Sequence, residues 1–175
     1  MMNQVVVALG SNIDKERNLP KAVQLLKEKC EVVAVASVYE TAPVGLLQQP
    51  NFWNTAVSLK TLLSPAQFKK EVIGDIERQL KRVRQADPNA PRTIDVDIVL
   101  FNDAVLDYVG EDGRYRHIPE KDLTRFLHVA VPVAELLPNM LHPETSEPLQ
   151  TIAKRLLQEE AQTGKPPLWK CDDMW

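Results

Sequence analysis

The order of elements legible in the sequence predicts an α+β fold: a ferredoxin-like βαββαβ core with a mostly antiparallel sheet and C-terminal helical additions. Three observations carry that prediction. Valine-rich or apolar runs suited to strands recur at residues 4–9, 31–39, 52–62 and 94–101. Helical spacing of apolar residues fills the gaps between the first and second runs and between the third and fourth. Beyond the fourth run the pattern turns largely helical. The two crossover helices then share one face of the sheet, and the other face is left for the C-terminal helices or for a ligand.

Composition narrows the class. A chain of 175 residues with 44% hydrophobic and 26% charged content is an ordinary globular composition, read as one domain over 1–175. The net charge of −3 gives no global attraction to nucleic acid or acidic membranes, so any anion site must be a local basic cluster. No apolar run approaches the ~20 residues that span a bilayer. The two cysteines, Cys30 and Cys171, lack metal-ligand spacing, and Cys30 reads as a small core residue. His117 and His142 also lack such spacing. Nothing at the N-terminus resembles a signal peptide, so a cytoplasmic location is expected. Small-molecule partners are expected, with neither nucleic acid nor membrane; a monomer is the simplest state and an oligomer is left open.

Taken in order, the first strand ends at Gly10-Ser11-Asn12, a turn-forming triplet. It could offer N–H groups to an anion, but it is too short for a phosphate loop, so a structural turn is the leading reading. A helix follows from Asn18 or Leu19 to Lys29, capped by Asn18, with Pro20 in its first turn. The second strand covers 31–39. Residues 40–51 contain two prolines and no helical period, which makes a long loop of the kind that carries binding residues. In the third strand Phe52, Asn54, Ala56 and Ser58 share one face, and Trp53, Thr55, Val57 and Leu59 the other. The first face could stack and hydrogen-bond a flat heterocycle, although an ordinary half-exposed sheet face is the leading reading of the spacing. Ser64-Pro65-Ala66-Gln67 is a helix start with a capping box, and Phe68, Val72, Ile76, Leu80 and Val83 continue an amphipathic helix with a basic end. Residues 105–109 and 114–118 form a hairpin. Short helices are expected at 119–126 and 131–137, and a longer one at 149–161. The tail 163–175 has no clear period.

The chemistry centres on residues 90–101. Ile94, Val96, Ile98 and Leu100 alternate with Asp95, Asp97, Val99 and Phe101, so the two aspartates share one face of a strand, roughly 6.5–7 Å apart. Two acids in an apolar strand are costly unless a cation neutralises them. A divalent metal is the obvious candidate, and salt bridges at a strand end are the simpler alternative. Arg92, Arg84, Arg82 and Lys81 lie just upstream. Two carboxylates for metals beside several basic groups suit polyphosphate chemistry.

Four stretches together resemble one family, the 6-hydroxymethyl-7,8-dihydropterin pyrophosphokinases of folate biosynthesis. They are residues 9–12 (LGSN), 39–45 (YETAPVG), 49–57 (QPNFWNTAV) and 91–98 (PRTIDVDI), with similarity continuing to residues 132–138. The resemblance implies a ferredoxin-like fold and transfer of diphosphate from ATP to the hydroxymethyl oxygen of the pterin, leaving AMP. It implies two Mg²⁺ ions on Asp95 and Asp97. Phosphate contacts fall to Arg82, Arg84 and Arg92, with Glu77 and Ile98 near the nucleotide. The pterin pocket falls to Thr41, Pro43, Val44, Phe52, Asn54 and His128. Catalytic weight rests on Arg82, Arg92, Asp95 and Asp97, with no evident general base, so positioning and electrostatics should dominate.

The sequence departs from the family in two places. Residues 88–92 read PNAPR where a basic or aromatic residue and Gly-Pro-Arg are common. In an ungapped match Glu120 replaces a histidine, Phe126 an arginine and His128 the second sandwich aromatic; a shift of one or two residues would bring Arg125 and Phe126 into those roles. The departures keep two alternatives open: a two-metal ATP-dependent transferase acting on another ring, and a non-catalytic relative. The loops after Glu40, Lys81 and Asp107 are expected to close over the substrates.

Overall fold

The computed structural model describes residues 1–163, 168–172 and 174–175. The elements follow the predicted order. β1 (Asn3–Ser11), α1 (Lys15–Lys29), β2 (Glu31–Val35), β3 (Tyr39–Thr41) and β4 (Phe52–Thr61) are followed by α2 (Pro65–Phe68), a π turn (Lys69–Ile73) and α3 (Gly74–Gln79). Then come β5 (Asp95–Phe101), the β6 (Leu106–Val109) and β7 (Tyr115–Ile118) ribbon, and a 3-10 turn (Lys121–Thr124). α4 (Leu127–Leu136), α5 (Leu149–Gln162) and β8 (Trp169–Lys170) complete the chain.

The main sheet runs β5-β1-β4-β3-β8, with β2 also on β4, and every pair is antiparallel. Each face buries its own core. Leu19, Leu26, Phe68, Ile76 and Ile94 fill the side covered by the crossover helices. Val133, Leu149 and Ile152 from the C-terminal helices meet Ala56, Val99 and Leu100 on the other. The C-terminal helices therefore cover only part of that face, and the ends of β1, β4 and β5 are left to line a cleft. Among the described residues, no helix is long and apolar enough to cross a membrane.

Several boundaries differ from expectation, each for a local reason. α1 begins at Lys15 rather than at Asn18. Asp14, in the left-handed region at φ 44°, precedes it, and the Asn18 side chain donates to the Ile13 carbonyl at 2.7 Å from inside the helix. The strand expected at 31–39 is split. Ser37 gives its N–H to Glu135 instead of a neighbouring strand, and the Ala36 carbonyl accepts from Thr55 and Trp175 side chains. The helix after Ser64 keeps its capping box but widens into the π turn and ends at Gln79. Arg82 and Arg84 therefore lie in a loop, and Val83 is exposed rather than buried. α4 starts at Leu127, four positions ahead of expectation.

The strict alternation expected along β5 also fails beyond Ile98. Val7 pairs with Ile98 and Val6 with Leu100, so Val99 is an extra residue, a β-bulge. Leu100 consequently joins the second core beside Val99, and Phe101 returns to the first. The tail, which shows no clear period in the sequence, supplies β8, which pairs with β3; residues 164–167 and 173 of that stretch lie outside the described residues.

His117 on β7 ties the ribbon to the segment after α4, with Asp107 at 2.7 Å from Nδ1 and Glu144 at 3.0 Å from Nε2. Hydrogen bonding to Asp107, then to Glu144, raises the imidazole above its ordinary value of 6.5. A raised histidine contributes stability that is full below 6.5 and fades as pH climbs through the folded-state value. Its two carboxylate partners are exposed at the surface, so screening keeps the effect small. Melting curves of His117→Gln should lie slightly below wild type at pH 6 and converge with it by pH 9; a gap that persists at pH 9 would contradict this linkage.

Candidate active site

The end of β1 organises the site by close approach. A side chain at Gly10 would place its Cβ 2.9 Å from Asn54 Oδ1, so glycine is what lets Asn54 lie over the strand. Asn54 in turn donates to Thr41 Oγ1 at 2.7 Å, both side chains being buried. Two residues further on, Asn12 acts as a clamp. Its amide donates to Gln49 Oε1 (2.8 Å) and the Pro50 carbonyl (3.0 Å), and its Oδ1 accepts from the Arg92 N–H at 2.9 Å. The N–H groups of Asn12 and Ile13 both point at the Arg92 carbonyl, at 3.1 Å each. Gly10 and Ser11, expected in a turn, instead continue β1 and pair with Asn54 and Trp53; the chain turns only at Asn12, whose N–H, with that of Ile13, is spent on the chain that leads into β5.

Arg92 is held along its whole length. Its guanidinium donates to the Ala90 and Pro88 carbonyls, reaches Asp95 Oδ2 at 3.3 Å and lies 5.7 Å above the Phe52 ring centroid. Arg82 joins Asp95 from the loop after α3, donating to Oδ1 at 3.2 Å and to the Ile94 carbonyl at 2.6 Å. Arg84 pairs with Glu77 at 3.0 Å. Lys69 lies 3.6 Å from Asp97 Oδ1 and donates to the Val96 carbonyl at 3.0 Å.

The two aspartates titrate in opposite directions. Burial pushes the Asp95 carboxyl upward, but Arg82, Arg92 and Lys69 together hold it below the ordinary carboxylate range. Burial and then the Asp95 charge raise Asp97 to about 7, against the pull of Lys69. This happens although 47% of the Asp97 side chain surface still faces the cleft. The pair is therefore short of positive charge.

Two adjoining clefts share these acids. The first, of about 290 Å³, is lined by Thr41, Val44, Phe52 and Asn54 on one side and by Glu120, Asp122, Phe126 and His128 on the other. Phe126 and His128 stack with ring centroids 5.4 Å apart and 27° between planes. Burial lowers the His128 value, favouring the neutral ring, which suits stacking. The second cleft, of about 430 Å³, is lined by Lys69, Arg82, Arg84, Arg92, Arg114 and Arg116. Asp95, Asp97 and Arg92 border both. Arg82 Nε is buried with no partner among the described residues, a donor left for an incoming acceptor.

Most of the expected site residues converge here, with three exceptions. Pro43 and Ile98 are buried and do not line either cleft; Ile98 lies in the core beneath the crossover helices. Glu77 stands behind Arg84 rather than on the cleft wall, with its Oε1 buried and unpartnered. Arg125 is exposed on the outer side of Phe126, 5.6 Å from its ring centroid, so Phe126 and His128 both face the cleft. Sequence reasoning did not find Lys69, Asn12's clamp, Arg114 or Arg116. For Lys69 the only available signal was a lysine directly after the buried Phe68, which reads as an ordinary helix-boundary charge.

An aromatic-lined cleft that shares two carboxylates with an arginine-lined cleft is an arrangement suited to a transferase. The sequence profile of 7,8-dihydro-6-hydroxymethylpterin-pyrophosphokinase (HPPK) matches residues 6–138, and the chain belongs to that family. Its activity is the family's pyrophosphokinase step in folate biosynthesis. It is 38% identical over 149 residues to the 2-amino-4-hydroxy-6-hydroxymethyldihydropteridine pyrophosphokinase of Bacillus subtilis, covering 83% of this chain and 85% of that protein. Against the enzyme of the same name from Aquifex aeolicus, identity is 31% over 150 residues, covering 85% and 89%. The fold is also similar to Plasmodium falciparum HPPK-DHPS A437G with STZ-DHP, at TM-score 0.77 and 13% identity. That match covers 95% of this chain, which spans 48% of the Plasmodium chain, and it speaks for the fold alone.

Asn12→Ala removes three side-chain hydrogen bonds that hold the Arg92 segment and the 49–50 loop. Urea denaturation should show a loss of about 1–3 kcal/mol, from one N–H and two acceptors left without this partner. Stability within error of wild type would show that the clamp is dispensable.

Proposed function

We propose that Asp95 and Asp97 hold Mg²⁺ between the two clefts, with ATP in the arginine-lined cleft and 6-hydroxymethyl-7,8-dihydropterin in the aromatic one. The observation that carries this reading is the shared, under-neutralised carboxylate pair. Its donor set suits the metal: hard carboxylate oxygens, with no group of three or more His, Cys, Asp or Glu side chains positioned as a cage among the described residues. Mg²⁺ is commonly bound in this way, through one or two carboxylates with phosphate and water completing the shell. Two such ions, when bound, supply Lewis acidity to the triphosphate and to the attacking hydroxyl.

The chain's own residues do the rest. Phe52 and His128, with Phe126, sandwich the pterin; Asn54 and Thr41 form its polar edge, and Val44 covers it, with Pro43 bracing that loop. Arg82, Arg84 and Arg92 bind the phosphates, and the unpartnered Arg82 Nε is suited to one oxygen. Glu77 steers Arg84, and Ile98 supports the nucleotide side of β5 from within the core. The hydroxymethyl oxygen forms a bond to the β-phosphorus, the bond from that phosphorus to the bridging α,β-oxygen breaks, and AMP leaves. The hydroxyl proton is lost without an evident side-chain base, so alignment and charge neutralisation account for catalysis.

Calorimetry should find Mg²⁺-dependent ATP binding to the wild type and none to Asp95→Ala or Asp97→Ala. Both variants should also lose AMP formation with 6-hydroxymethyl-7,8-dihydropterin. Unchanged nucleotide affinity in either variant would falsify the metal assignment.

A further inference from the structure

Lys69 is an unusual lysine. Its side chain is only 11% exposed, and it follows Phe68, which is fully buried. It opens the π turn, where the Gly74 N–H bonds back to the Lys69 carbonyl, and wide turns of this kind recur at functional sites. From there its ammonium reaches β5, 3.0 Å from the Val96 carbonyl and 3.6 Å from Asp97 Oδ1. Arg82 and Arg92 are both committed to Asp95, so Lys69 is the cation in contact with Asp97 among the described residues. It also borders the arginine-lined cleft. A buried lysine is expensive to desolvate, and packing alone would be served better by leucine or methionine.

We propose that Lys69 is a partner-switching residue: it neutralises Asp97 in the empty cleft and is released to a phosphate oxygen when Asp97 turns to a divalent ion. The inference rests on the metal–nucleotide reading above and adds to it a residue which that reading does not use. Two features support the switch. The contact with Asp97 is long and not a hydrogen bond, whereas the bond to Val96 anchors the ammonium on the cleft wall. The lysine stem is flexible and its three donors rotate freely, so the same anchor serves both partners. Lys69 also offsets part of the negative charge of Glu120, which faces the same acids from the chain after β7. Losing it would remove the one cation in salt-bridge contact with Asp97 among the described residues.

The switch predicts opposite signs for two equilibria, which a merely structural lysine does not. Isothermal titration at pH 8.5, where the carboxylates are ionised, should be run with Mg²⁺ alone and with Mg²⁺ plus α,β-methylene-ATP, whose α,β bond cannot be cleaved by transfer. Lys69→Met should bind Mg²⁺ alone several-fold more tightly, because a competing cation is gone. It should bind the Mg²⁺–nucleotide analogue roughly tenfold more weakly, because a charge-assisted contact is lost. Lys69→Arg should recover part of the analogue affinity, and Lys69→Gln, which keeps a polar head, should follow Met if Met compromises folding. Equal weakening of both equilibria, or no change in either, overturns the switch. A wild-type protein that binds no Mg²⁺–analogue overturns the metal–nucleotide reading itself and the switch with it, which separates the two failures.

Discussion

Asp95 and Asp97 stand two residues apart on one face of β5, at the edge of the sheet, where the cleft walls withhold much of their water. Their mutual repulsion sets the terms for everything around them. Asp95 is satisfied by two arginines, and Asp97 keeps an incomplete partner and a raised proton affinity. The two arginines reach Asp95 from opposite ends of the single connection between α3 and β5, so both ends must be pinned. Asn12 does this for Arg92, and the short turn after α3 does it for Arg82, whose N–H bonds the Glu77 carbonyl at 2.9 Å. Gly10 and Asn54 then set the neighbouring cleft at a fixed distance from the acids, because both lie on strands that pair through β1.

The sheet explains why one molecule can hold two ligand clefts side by side. Its two faces bury separate cores, and the C-terminal helices cover the second face incompletely. The strand ends that remain bare carry Asn54, Asp95 and Asp97. The β-bulge at Val99 divides β5 at this boundary. Before it, alternation presents acids to the cleft; after it, Val99 and Leu100 are both given to the helices.

Features that depend on local periodicity were legible in the sequence. The Asp-x-Asp face, the two sides of β4 and the Ser64 capping box follow from spacing alone, and the structure places all of them as expected. What was not legible depends on partners distant along the chain. The break after β2 arises because Glu135 captures Ser37, 98 positions away. Asn12 became a clamp only because Arg92 folds back against it, 80 positions on. The substituted segment at 120–128 could be aligned in two ways. In the structure Arg125 is exposed while Phe126 and His128 both line the cleft, a placement that neither alignment alone describes. Lys69 was invisible because a π turn has no sequence signature as plain as a cap.

That turn has a further consequence. A π turn accommodates one residue more than a regular helix needs over the same span. Removing any one of residues 69–73 would allow an unbroken helix from Ser64 to Gln79, and helical propensity alone favours the shorter version. The flanking helical turns would keep their relative phase, because the wide turn already absorbs the surplus residue, but side chains within it would rotate by about 100° against one flank. Lys69 would also lose the wide turn that its carbonyl now closes with the Gly74 N–H. The segment should therefore accept many substitutions on its solvent face while rejecting a change of length. Chain length is itself a constraint here, and aligning relatives by residue type alone would overlook it.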